Sequence, residues 1–112
     1  MTITGTNMSM IRGDTEAFTV SCTEDGVARA FVTGDTVYFT VKKTVSDTEK
    51  ILQKVITTFT NGKALVDILP IDTKNLDAKP YVYDIQIVFL NGTKKTVISP
   101  SVFELTSEVT YE

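Results

Sequence analysis

The sequence predicts an all-β fold, a sandwich of about seven antiparallel strands, and three observations predict it. Apolar residues recur at every second position through most of the chain, the period of a half-buried strand. Two Asn-Gly pairs, Asn61-Gly62 and Asn91-Gly92, stand between apolar runs and mark two-residue type I′ hairpin turns, which need positive φ at both positions. A Tyr-x-Tyr at 81–83 opens the longest alternating stripe directly after a polar loop.

Taken in order, residues 1–12 read as a flexible segment or an edge strand of a single domain spanning 1–112. In "EAFTVSC", Phe18, Val20 and Cys22 alternate with threonine and serine. "TEDG" at 23–26 and "TGD" at 33–35 punctuate the approach to the next strand. There Val37, Phe39 and Val41 face one way, and Tyr38, Thr40 and Lys42 the other. Over 46–53 two readings compete. Ser46 and Glu49 are spaced as a capping box with Ile51, Leu52, Val55 and Ile56 at helical intervals, whereas "VITTFT" favours a strand from 52 onward. The Asn-Gly turns pair about 53–60 with 63–69 and about 81–90 with 93–99. Ala64, Val66 and Ile68 make one apolar face, and Tyr81, Tyr83, Ile85, Ile87 and Phe89 another. Pro100 breaks the last ladder, at an edge or a bulge.

The segment "PIDTKNLDAKPYVYDI" refines the class. Asp72 suits an Asx-turn or the cap of one helical turn. Tyr81, at the start of its strand, is placed to return its hydroxyl to backbone in the preceding loop, as a tyrosine corner does. Asp72 and Tyr81 thus form the structural corner of an immunoglobulin-like sandwich. Its two hairpins become the D–E pair of one sheet and the F–G pair of the other.

Composition narrows function. At 112 residues the chain can bury roughly two-thirds of its unfolded surface, so it needs neither disulfide nor metal to fold. A net charge of −3, with no basic cluster beyond Lys42-Lys43 and Lys94-Lys95, argues against nucleic acid. No run approaches the ~20 apolar residues of a membrane span, and "MTITGTNMSM" lacks the features of a signal peptide. Cys22, the sole cysteine, reads as a small buried hydrophobe. The absence of histidine removes the commonest general base and metal ligand. Among the remaining carboxylates, Asp67, Asp72, Asp77 and Asp84, the last lies on the polar side of its strand, where an ion pair with a lysine on a neighbouring strand or a contact with a partner is expected. No catalytic, cofactor or metal site is expected, and no enzyme. A glycan platform is poorly provided for, with no tryptophan and only Tyr38, Tyr81, Tyr83 and Tyr111.

Arg12-Gly13-Asp14 spells a cell-adhesion tripeptide, but Gly13-Asp14-Thr15 also serves as the turn that starts a strand, and that structural reading is preferred. The strand at 80–90 carries apolar residues on its second face as well. Since the outer face of a two-layer sandwich should be wet, Val82, Val88 and Leu90 are candidate partner contacts.

The order "RGDTEAFTV", "VTGDTVYFTVKK", "NGKALVDILPIDTKNL", "YVYDIQIVFLNGTKKTVISPSVFELTSEVT" resembles the immunoglobulin-like N-terminal domain of upper baseplate proteins from phages and prophages of Gram-positive bacteria. The shared features are an early Gly-Asp-Thr, a Thr-Gly-x-Thr-Val entry, a Pro-x-Asp-Thr-x-x-Leu crossover, a Tyr-x-Tyr-Asp-Ile strand and a final Val-Thr at 109–110. The "SPS" at 99–101 departs from it. The resemblance implies a virion structural protein, made in a bacterial cytoplasm, that acts in a tail or baseplate. Its partners would be other phage structural proteins and copies of itself, without cofactors, nucleic acid or membrane. The alternative is a cell-surface or adhesin-type module that binds glycans or acts through the Arg-Gly-Asp.

Overall fold

Alternation builds this chain. In the computed structural model, which describes residues 1–4 and 6–109, the strands in chain order are β1 (Thr2–Thr4), β2 (Asn7–Ile11), β3 (Glu16–Val20), β4 (Cys22–Glu24), β5 (Val27–Arg29), β6 (Thr36–Lys42), β7 (Leu52–Ile56), β8 (Ala64–Ile68), β9 (Pro80–Val88) and β10 (Lys94–Thr106), with one short helix, α1 (Pro70–Thr73), before β9. The fold is all-β. A six-stranded sheet runs β1-β2-β10-β9-β6-β7, and β3-β8 and β4-β5 form two-stranded sheets.

The inward residues of β6, β8 and β9 are those the period-two pattern selects. Val37, Phe39, Val41, Val66, Ile68, Ile85 and Ile87 are fully buried, and Tyr81, Tyr83 and Phe89 nearly so. They join Val20, Met8, Met10, Phe103 and Leu105 in one apolar cluster between the large sheet and β3-β8. Phe39 sits at its centre, its ring 5.3 Å from Phe18, 5.5 Å from Tyr83 and 5.9 Å from Phe103. Burying a side chain of this size is worth about 3 kcal/mol before packing is counted.

Several expectations are corrected. The described residues form ten strands instead of seven, and the large sheet is mixed: β2 runs parallel to β10, pairing Met8 with Phe103 and Met10 with Leu105. Met8 and Met10 alternate like any strand and seek the core. The edge open to them is the second half of β10. Residues 1–12 therefore supply both an edge strand, β1, and an interior one, β2.

The Asn61-Gly62 turn forms, with φ of 54° and 72° and reciprocal backbone bonds of 3.0 Å between Thr60 and Lys63. The expected D–E ladder beyond it does not. β7 pairs with β6, and β8 pairs with β3, because Thr57–Phe59 carry the chain from one sheet to the other. The second turn spans three residues, not two. The Phe89 N–H reaches the Thr93 carbonyl at 2.8 Å, and of residues 90–92 only Gly92 has positive φ, 89°. Asn91 stays right-handed and accepts the Thr93 N–H on its own side chain at 3.0 Å. This is a type I turn closed by a glycine bulge.

Residues 46–51 form no helix; strand β7 begins at Leu52. Around Pro100 the register slips twice, between Thr96 and Ile98 and between Ile98 and Ser101. That is the bulge expected of a residue without an N–H. β2 covers only Phe103–Thr106, so Pro100 lies where β10 has no second neighbour. The side chain of Asn7 takes up the Val102 N–H there at 3.0 Å.

Candidate functional site

The two corner residues make separate contacts, Asp72 from α1 and Tyr81 from the second position of β9. The Tyr81 hydroxyl donates to the Asp77 carbonyl at 2.8 Å. Burial raises its pKa above the ordinary tyrosine value, and the Asp77 carboxylate pushes the same way. Asp72 occupies the third position of α1 and accepts the Leu69 N–H at 2.7 Å, closing the helical turn. The same carboxylate pairs with Lys54 at 2.7 Å, tying the corner to β7. Tyr83, one turn of the pleat further on, donates to the Thr6 carbonyl.

The three candidate contact residues do not share one surface. Val82 and Val88 lie half-buried on the outer face of β9, opposite Lys42 and Thr36 of β6. Six residues of strand, roughly 20 Å, separate them. Leu90 is beyond the end of β9, in the loop, 67% exposed. It leans on Gly34, where a Cβ would fall 2.3 Å from its Cδ1.

Val82 has other company. Across the sheet it pairs with Val102 of β10. With Thr40, Lys42, Val45, Asp84 and Pro100 it lines a hollow of about 50 Å³, water-sized. Asp84 pairs in register with Thr40, and the ion pair expected of it is not made; among the described residues Asp84 and Lys42 have no ionic partner.

Sequence reasoning treated Asp35 as turn punctuation. It is the most deeply engaged carboxylate described. Fully buried, it accepts the Leu90 N–H at 2.8 Å on one oxygen, and the Val32 N–H at 3.0 Å and Arg29 Nη1 at 3.1 Å on the other. Burial alone would raise its pKa, but these donors prevail and hold it below the ordinary aspartate value. Arg29 in turn lies over the Phe89 ring at 4.1 Å. The "TGD" turn, the β4–β5 hairpin and the β9–β10 loop are thus locked to one group. An aspartate following a Thr-Gly turn was the available signal; Val32 and Arg29 donate from within six residues of it, but Leu90 comes from 55 residues away.

Arg12-Gly13-Asp14 forms the turn that crosses from β2 to β3. Arg12 reaches Glu108 at 2.7 Å and the Leu76 carbonyl at 2.9 Å. Hydrogen bonding from Arg12 lowers the Glu108 pKa, against a smaller effect of burial. The Gly13 N–H donates to the buried hydroxyl of Thr73 at 2.8 Å, and only Asp14 is exposed. Cys22 is buried.

A second cleft, of about 270 Å³, opens between the sheets beside β3, lined mainly by apolar side chains including Phe18, Val20, Ile85 and Val97. Among the described residues no group of three or more acidic, cysteine or histidine side chains is arranged to hold a metal. No helix there is long and apolar enough to cross a membrane. Thr110 and Tyr111 lie outside the described residues. Comparison with protein-family models, curated proteins and solved structures finds no match.

Proposed function

We propose that this chain is an immunoglobulin-like assembly module of a phage or prophage virion, placed in a tail or baseplate and working through protein–protein contacts. The order β10-β9-β6-β7 set against β3-β8 corresponds to G-F-C-C′ against B-E in the immunoglobulin scheme, and Tyr81 occupies the corner position of that scheme. Both features support the resemblance to upper baseplate N-terminal domains drawn from the sequence.

The observation that carries the assembly reading is the outer face of the large sheet. An apolar Val82–Val102 pair sits there beside Lys42 and Asp84, which have no ionic partner among the described residues. Such a surface gains by being covered. The adhesion alternative has less in its favour, because Arg12 is committed to Glu108 and Leu76 and the tripeptide spans a tight turn.

The test is immunodetection of the chain in density-purified particles from an induced host culture. Co-sedimentation with tails or baseplates in stoichiometric amount is expected. A chain that stays wholly in the soluble fraction while particles assemble overturns the reading.

A further inference from the structure

We propose that the outer face of the six-stranded sheet is a twofold self-association surface, whose partner is a second copy of this chain. The proposal rests on the assembly reading and specifies its contact.

The geometry is a cross-strand rectangle. On β6, Thr40 and Lys42 are consecutive outward residues; on β9 they stand opposite Asp84 and Val82 respectively. Lys42 and Asp84 therefore occupy one diagonal, Thr40 and Val82 the other. When two identical faces meet about a twofold axis lying in the contact plane, each point meets the mirror image of itself across that axis. Let the axis bisect the Lys42–Asp84 diagonal. Lys42 of each copy then falls on Asp84 of the other, giving two equivalent ion pairs.

Strand spacings of about 4.8 Å and two-residue rises of about 6.8 Å put Val82 within roughly 1.5 Å of that axis. Val102, its neighbour on β10, falls about as close. Valine therefore meets valine close to the axis, next to the two charge pairs, which lie about 4 Å to either side of it. Val55, 53% exposed on β7, lies toward the opposite end of the axis.

Charge complementarity selects a second copy as the occupant. The chain carries both halves of the pair on one face, and among the described residues it pairs neither internally. A standard interface needs about 800 Å² from each partner, and a molecule of 44 × 30 × 23 Å offers a broad side of that size. Strand addition at the open half of β10 is the poorer route, since Lys94, Lys95, Pro100 and two register slips blunt that edge.

Sedimentation equilibrium of the full chain across a concentration series tests the proposal. A monomer–dimer equilibrium in the range of about 10–100 μM is expected for a modest wet interface. Asp84→Lys and Lys42→Asp each set like charges opposite one another and should weaken it about tenfold or more. The double variant Lys42→Asp/Asp84→Lys should return to within about threefold of the parent, a rescue that misfolding cannot imitate. Independently, a Val82→Cys variant should be joined to its copy by a short bismaleimide, because facing sheets stand about 10 Å apart, too far for a direct disulfide. A Val88→Cys variant should not be joined.

A parent that is monomeric at millimolar concentration, single variants equal to the parent, or a double variant no better than the singles overturns the proposal. A monomeric chain that still enters particles refutes this contact and leaves the virion reading standing. A dimeric, charge-sensitive chain that is absent from particles does the reverse.

Discussion

Replacing Asp35 by alanine removes the acceptor on which three segments converge. Its carboxylate has no exposed surface and takes hydrogen bonds from the Val32 N–H, the Leu90 N–H and Arg29. Each backbone donor loses a charge-assisted bond worth about 1.5–3 kcal/mol. The Arg29 side chain is 28% exposed, so its share is discounted by solvent to about 0–1 kcal/mol. Leu90 stands at the surface, and water can replace part of what its N–H loses. The expected cost of Asp35→Ala is therefore about 3–4 kcal/mol. That is a large part of the 5–15 kcal/mol typical of a whole domain, and about 12–16 °C in Tm.

Urea unfolding followed by far-UV circular dichroism, with an unchanged slope, measures the cost directly. The pH dependence has a definite sign. The folded carboxyl titrates below its unfolded value, so its contribution is complete above the unfolded pKa and is lost as pH falls below about 4. Asp35→Asn should flatten that part of the acid limb. A loss under about 1 kcal/mol in Asp35→Ala, or an acid limb identical in Asp35→Asn, would refute the assignment of Asp35 as the lock on these loops.

Phe39→Ala should cost about 3–5 kcal/mol in the same assay, because three rings close on a side chain that is fully buried. Gly62→Ala should cost about 1–2 kcal/mol for its positive φ alone, and more because the new methyl would lie 2.6 Å from the Ala30 Cβ; a neutral result would show that this loop yields freely. Tyr81→Phe should lose about 1 kcal/mol with the bond to Asp77, read as a shift in the urea midpoint. Asp14→Ala, at an exposed position, should change stability by less than about 0.5 kcal/mol and leave adhesion of integrin-bearing cells to coated protein unaltered.

The strands were legible wherever one face is buried, because period two is then enforced at every residue. Phe39, Val66 and Ile85 could be assigned inward from the sequence alone. The Tyr81 corner was legible too, as it depends on a residue four positions away. What the sequence did not disclose is which strand sits beside which. The turn at Asn61-Gly62 has the chemistry of a hairpin and the geometry of one, yet its arms part after a single pair. Pairing beyond the turn is decided by the faces that β7 and β8 offer to β6 and β3. The parallel β2 escaped for the same reason: Met8 and Met10 show the alternation, but nothing local states that their neighbour is Phe103. Asp35 escaped because burial of a carboxylate depends on donors brought in by folding. The outer-face pair of Lys42 and Asp84 became visible only once register set them on one diagonal.

The parallel pairing of β2 with β10 has a kinetic consequence. Met8 meets Phe103 across almost the whole length of the chain, and closing a loop of that size costs about 4 kcal/mol in chain entropy before any contact repays it. The β6–β9 and β9–β10 pairings span shorter stretches and can form first, so β2 should dock last, onto a sheet already standing. Until it does, the second half of β10 is an open edge with Phe103 and Leu105 uncovered beside it. The step most exposed to misassociation is therefore the final one, when Met8–Ile11 find Phe103–Thr106.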